Sequence, residues 1–246
     1  MTKLFVRPMI LIILLGLTVG LVHAADVTSG LFAHWPLDGN ADDVVGGFDG
    51  EEVGGPNWVD GHIGKAASFD GVQSIHIPDF ELITNEITFV AWINGWMVEA
   101  WAGIVGARIP TACEMIFGDN DTLHYVWNNN AEDTWDWDGG AVIPQDEWAM
   151  TALTVDPDKA VTYVYTDADG MDQGSNDIPH VEQIVGALNI AWVDCCGGTR
   201  YFKGVIDEVM IYDRALTEDD LTKLATGGLG VEPFDKLSTT WGRIKN

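Results

Sequence analysis

The chain has 246 residues, with 38 acidic side chains against 12 basic ones and a formal charge of −26. A field of that sign repels phosphate backbones, which argues against nucleic acid as a partner. The acids are scattered over turns and not gathered in one block, which speaks against a disordered acidic tail and leaves solubility, a saline medium or cation binding as their use.

In chain order, Lys3 and Arg7 precede an apolar run from Met9 to Leu21 and the small-residue pattern Val22-His23-Ala24. That is the pattern of a secretory signal peptide cleaved after Ala24; the run is too short for a spanning helix, so no membrane span is expected in the mature chain. Loss of Lys3 and Arg7 takes the charge from −26 to about −28. The expected destination is extracellular, at the cell surface or in the periplasm. Residues 25–226 then read as one domain. Residues 227–246 read as a linker and short tail, because glycines, Pro233 and a basic end at Arg243 and Lys245 replace the earlier pattern.

Leu31, Ala33, Trp35 and Leu37 alternate with Phe32, His34 and Pro36, which predicts an entering strand. Turn formers fill Asp38 to Gly50. There Asp38, Asn40 and Asp42 imitate the start of a calcium loop, but Asp43 stands where an EF-hand needs glycine and no glutamate closes the loop, so an EF-hand is rejected. Short strands are predicted at 66–69, 74–77, 87–93, 103–108, 114–117, 123–127, 148–155, 160–165, 188–192 and 202–212. Asp156-Pro157-Asp158 and Asp167-Ala168-Asp169-Gly170 are read as hairpin turns. The spacing is that of an all-β sandwich or barrel, and the lack of a fixed repeat speaks against propellers and solenoids.

The segment Arg200 to Thr226 compresses a strand, a cap and a helix. Both faces of the strand are largely apolar, with Val205, Val209 and Ile211 on one and Ile206, Met210 and Tyr212 on the other, so it belongs in the middle of a sheet. Asp207 falls on the first face, where an unpaired carboxylate costs several kcal/mol to desolvate and calls for a cation, donors or a metal. Thr217 followed by Asp220 is a capping-box pattern, and Leu221, Leu224 and Ala225 continue at helical spacing up to Gly227.

Four runs, GLFAHWPLDGNADDVVGGFDG, WVDGHIGKAASFDG, EITFVAWING and GVIDEVMIYDRALTEDDL, follow one another across Leu31 to Thr226. In that order they resemble bacterial LamG-like (concanavalin A-like) domains. The resemblance implies a two-sheet antiparallel jelly-roll sandwich with one short C-terminal helix, its first strand lying near its last. It also implies a structural calcium ion whose side-chain ligand is Asp207, with Asp43 matching the acid before the glycine-rich turn. Asp38 joins them if the chain ends meet. The competing readings are that Asp207 pairs with Arg214 and that Asp43 caps its own turn.

Of eleven tryptophans, Trp35, Trp92 and Trp148 fall inside strand patterns and read as core. Trp127, Trp135 and Trp137 lie among Asn128, Asn129, Asn130, Asp133, Asp136 and Asp138, a mixture of flat rings and acceptors that suits sugars. Trp127, Asn128, Trp135 and Trp137 are therefore the candidate ligand-binding residues, against the plainer reading of a strand end covering a sheet face. Trp96 and Trp101 form a second aromatic pair in a loop. Three cysteines in a secreted chain predict one bridge, from Cys113 to Cys195 or to Cys196; Cys113–Cys195 is carried forward, and a strained vicinal bridge is the alternative. No E-x-D-x-x-E glycosidase pattern, nucleophile elbow, zinc motif or phosphate loop is present, so catalysis is not expected. The expected function is a secreted, non-catalytic recognition module for glycan or extracellular protein. The rivals are a structural or adhesive surface protein that binds no sugar, and a glycoside hydrolase with an unusual site.

Overall fold

The computed structural model describes residues 27–97, 100–128, 133–193, 195 and 200–227, less the side chains of Trp96 and Met97. The expected signal peptide, Asn129, Asn130, Cys196 and the tail lie outside the described residues. In chain order the strands are β1 (Leu31–Trp35), β2 (Glu51–Val53), β3 (Asn57–Asp60), β4 (Lys65–Asp70), β5 (Ser74–Ile77), β6 (Leu82–Thr84), β7 (Ile87–Met97), β8 (Ala102–Ala107) and β9 (Cys113–Phe117). There follow β10 (Thr122–Trp127), β11 (Trp137–Val142), β12 (Ala149–Val155), β13 (Ala160–Thr166), β14 (Gly170–Asn176), β15 (Gln183–Val185), β16 (Leu188–Ile190), β17 (Trp192–Val193) and β18 (Arg200–Tyr212), and then helix α1 (Glu218–Gly227).

Two antiparallel sheets form the jelly-roll sandwich. One runs β14-β13-β12-β7-β18-β4-β3 with β1 and β17 also paired to β18, and the other runs β11-β10-β9-β8-β16-β5-β2. The faces turned towards each other carry Trp35, Phe89, Phe117, Tyr125, Trp127, Phe202 and Ile211, all fully buried. Aromatic and β-branched side chains at alternate positions make these strands; burial of the largest contributes about 1.5–3 kcal/mol each.

The outer face of the first sheet is also covered. Val90, Trp92, Met150, Tyr163, Met210 and Tyr212 pack under Leu216, Leu221 and Leu224 of the helical segment. The expected cap forms: Asp220 N donates to Thr217 Oγ1 at 3.2 Å and Thr217 N donates to Asp220 Oδ2 at 3.3 Å.

β18 is central because it has two partners along one edge. β7 pairs with it from Phe202 to Tyr212, while on the opposite edge β4 pairs with 203–206 and β1 with 209–212. The chain's first and last strands are thus neighbours, as expected. At the handover β18 gains a residue: Asp207 faces Trp92 but Met210 already faces Val90, and Glu208 takes φ 51°. This bulge corrects the expected facing. Ile206, Val209 and Ile211 all enter the core between the sheets, and Asp207 lies on the outer side with Trp92.

Candidate functional site

Two places gather polar side chains that the fold has partly or wholly buried. The first is the seam at the β18 bulge. Asp207 is 0 % exposed; its Oδ2 accepts Ile63 N at 2.9 Å, and its Oδ1 has no hydrogen-bond partner among the described residues. Burial, and behind it the charge of Glu208, push the carboxyl up to about 7 against the pull of the Ile63 N–H. The turn before β4 closes over it so tightly that a Cβ on Gly61 would stand 2.6 Å from Asp207 Oδ2. Asp38 reaches the same turn, accepting Lys65 N at 2.6 Å. Next to Asp207, Glu208 Oε2 lies 2.7 Å from His34 Nε2, and the ring of His62 stacks on Trp92 with centroids 3.6 Å apart.

Asp43 does not share the seam. Its carboxylate accepts the backbone N–H groups of His34, Val45, Gly46 and Phe48 at 2.9–3.1 Å, so its lone pairs go to capping its own turn. Arg214 pairs with Asp220 at 3.1 Å and not with Asp207. Among the described residues no three His, Cys, Asp or Glu side chains are gathered to hold a metal, which corrects the expected triad of Asp38, Asp43 and Asp207. What fits a hard cation there is narrower: the orphaned Asp207 Oδ1, with Asp38 at the same turn.

The second place is the outer face of the second sheet. β9 and β10 send Cys113, Met115, Phe117, Leu123, Tyr125 and Trp127 inward, so the alternate residues Glu114, Ile116, His124 and Val126 face out. Gly106 makes room for this face; a Cβ there would stand 2.6 Å from Glu114 Cα. Around Ile116 and Val126 a cleft of about 110 Å³ is lined by Trp101, Arg108, Trp135, Asp136 and Arg200. The Arg108 guanidinium lies 4.6 Å from the ring centroid of Trp135, and that of Arg200 lies 5.0 Å from Trp101. Asp136 is held from two sides, by Trp101 Nε1–H and by His124 Nδ1 at 2.7 Å.

Glu114 sits beside this cleft, 1 % exposed, with Oε2 2.9 Å from Arg108 Nη1 and Oε1 lacking a hydrogen-bond partner among the described residues. Burial pushes it up to about 7, and the positive charges of Arg108 and Arg200 pull the other way.

The predicted tryptophans separate here. Trp135 is 42 % exposed and lines the cleft. Trp137 is half-buried, its ring 5.6 Å from that of Tyr125 at the edge of the core. Trp127 is fully buried, its indole N–H donating to Val181 O, so its expected role as a sugar platform is corrected: it stands at an inward position of β10. Asn128 is exposed, and its backbone N–H donates to Ala112 O. The expected Cys113–Cys195 bridge is likewise corrected, because Cys113 is a free thiol buried in the core on an inward position of β9. Arg108 Nη2 hydrogen-bonds Cys195 Sγ at the cleft's margin.

Sequence reasoning missed Glu114, Arg108 and Arg200. Glu114 carried a usable signal, a lone acid inside the apolar run CEMIF, the same signal that singled out Asp207.

Comparisons agree with this architecture. Domain 4 of AbnA, a GH43 extracellular arabinanase from Geobacillus stearothermophilus, solved in complex with arabinotriose, superposes with a TM-score of 0.63 at 25% identity, over 80% of this chain and 98% of that one. The binding domain of Paraclostridial Mosquitocidal Protein 1 gives 0.57 at 14% identity over 80% and 52%, and a Trypanosoma rangeli sialidase 0.56 at 15% over 80% and 32%. The chain spans about half of the former and a third of the latter, and at these identities both show the fold alone. No curated protein matches the sequence. Residues 69–222 match a family description that runs from the end of β4 to the middle of α1, and by that match the chain belongs to the concanavalin A-like lectin/glucanases superfamily, as a laminin G-like domain.

Proposed function

We propose that the protein is a secreted, non-catalytic carbohydrate-binding module that takes its ligand in the cleft on the outer face of the second sheet. The observation that carries this reading is Trp135, a tryptophan 42 % exposed on a cleft that also holds Arg108, Asp136 and Trp101. An exposed indole offers a flat apolar surface to the C–H face of a sugar, and the charged groups around it offer partners to hydroxyls. The likeness to an AbnA domain solved with arabinotriose supports the ligand class.

The non-catalytic part rests on how the carboxylates are used. Glycoside hydrolysis needs two carboxyls flanking the bond, one of them free to pass a proton to the leaving oxygen. Both oxygens of Asp136 accept hydrogen bonds, from Trp101 and His124, and Glu114 is buried against Arg108. The test is an affinity panel of neutral oligosaccharides, arabinotriose among them, run alongside a reducing-sugar assay. Binding that falls at least tenfold in Trp135→Ala, about 1.4 kcal/mol, with no sugar released, is the expected result. Sugar release that disappears in Glu114→Gln would instead make the protein a hydrolase. A panel without binding, joined to stable protein partners, would make it an adhesive component.

A second observation, the orphaned Asp207 Oδ1, supports a structural calcium at the seam, held by Asp207 and Asp38 with main-chain oxygens of the adjoining turn. The ion would tie the first and last strands together and would supply no chemistry to the cleft.

A further inference from the structure

The cleft contains a cation that recognition of a neutral sugar leaves unused. Three arginines lie among the described residues. Arg108 is paired with Glu114 at 2.9 Å and Arg214 with Asp220 at 3.1 Å. Arg200 has no carboxylate at ion-pair distance among the described residues, and its guanidinium lies over the face of Trp101. In a chain where 38 acids face 12 bases, an arginine at the wall of a cleft with no carboxylate at ion-pair distance among the described residues is poorly explained by folding alone.

Its surroundings keep it presented. The indole of Trp101 supports the guanidinium from one side, Trp101 Nε1 is fixed by Asp136, and Asp136 by His124. A guanidinium over the face of a ring spends none of its N–H groups on a carboxylate, and its edge is a fork matched to one. Arg108 adds a second positive charge to the cleft's lining, and Glu114 Oε1, buried and without a hydrogen-bond partner among the described residues, lies beside it.

We propose that Arg200 reads a carboxylate and that the ligand of this cleft is an acidic sugar, its ring on the exposed face of Trp135 and its carboxylate on the guanidinium edge of Arg200. This rests on the carbohydrate reading above and narrows it. The net charge of −26 disfavours anions over the surface as a whole, and the two arginines of the cleft offset that field locally, against Asp136 and the paired Glu114.

The experiment is calorimetric titration of the full chain with oligogalacturonate, with the same oligomer methyl-esterified, with a sulfated neutral oligosaccharide and with arabinotriose. Esterification removes the charge and keeps the ring, so it isolates the contribution of Arg200. The acid form is expected to bind roughly ten- to a hundredfold more tightly than the ester, the range for a charge-assisted hydrogen-bonded pair, with the gap narrowing as salt is raised. Arg200→Gln should remove the gap by weakening binding of the acid far more than binding of the ester. Arg200→Lys, which keeps the charge and loses the fork, should keep part of it and guards against a Gln variant that fails to fold. Trp135→Ala should weaken acid and ester together. Equal binding of acid and ester overturns the inference while leaving carbohydrate recognition intact. So does a preference that survives Arg200→Gln, or tighter binding of the sulfated sugar. Absence of binding to all four overturns both.

Discussion

Glu114 and Asp207 are alike in isolation: each is almost wholly buried, each has one oxygen without a hydrogen-bond partner among the described residues, and burial pushes each up to about 7. Their neighbourhoods differ. Asp207 lies in the seam where β4 hands over to β1, roofed by the turn at Gly61 and beside the acid Glu208. Glu114 lies next to a cleft with Arg108 paired to it and Arg200 near enough to lower its proton affinity. Equal burial therefore marks two kinds of site. What separates them is the sign of the neighbouring charge and the cleft that lies beside Glu114 alone, and on those counts the proposed ligand falls beside Glu114 and the proposed ion at Asp207.

The strongest way to break this contrast is to remove Glu114. Truncation to alanine leaves the Arg108 guanidinium, whose side chain is 17% exposed, without its counter-charge, a change that costs about 3–5 kcal/mol where an ion pair is buried. Glu114→Gln keeps an acceptor for Arg108 and should cost clearly less. Urea unfolding of the two variants measures the difference. If alanine and glutamine cost the same, the pair contributes nothing as a pair, and the cleft loses its organising charge.

A somewhat smaller effect separates the seam by its pH response. The folded form of Asp207 holds its proton up to about 7, while an unfolded aspartate releases it near 4. Its neutral form therefore favours folding: the contribution is complete below about pH 4 and is lost as pH rises to about 7, on the order of a few kcal/mol at about 1.4 per unit. Glu114 has the same sign over a similar window, so the wild-type slope contains both. In chelator, Asp207→Asn should flatten the curve between pH 4 and 7 relative to wild type, followed by thermal unfolding at each pH. Calcium at neutral pH should reverse the trend in the wild type alone, because an ion at Oδ1 favours the ionised form. Parallel curves for the two proteins would mean that Asp207 ionises as an exposed acid does.

The sandwich was legible because its signals are periodic. Ser74–Ile77 is placed to the residue and β7, β9, β10, β12, β13 and β18 to within a few, since their inward positions are large and apolar. Strands without such a face escaped: Glu51–Val53 is exposed throughout, and Gly170–Asn176 carries only one large apolar residue, Met171. The facing of Asp207 was misread because a bulge shifts the period by one residue, and nothing in VIDEVMIY announces where the extra residue sits. Trp127 turns inward with Leu123 and Tyr125 because the alternation along LHYVW, and not the polar residues that follow it, sets its face. Arg108 and Arg200 were invisible for a different reason. They stand 92 positions apart in the sequence and become neighbours only when the sheet closes.

The finest test of the comparison is Asp38, which touches only the seam. Its carboxylate is exposed and accepts a single hydrogen bond from Lys65 N, so Asp38→Ala in chelator should lower stability by no more than about 0.5–1.5 kcal/mol. The informative quantity is the rise in unfolding midpoint on adding calcium. Stabilisation by a bound ion grows with its affinity for the folded state, so losing one of two carboxylates should shrink that rise well beyond the small effect seen in chelator. Sugar affinity should stay where it was, since Asp38 is not among the residues that line the cleft. Trp135→Ala should do the reverse, keeping the calcium response and losing the sugar. A loss of sugar affinity in Asp38→Ala would show that β18 and the sheet facing it transmit the seam's state to the cleft, and the two regions would then have to be treated as one coupled site.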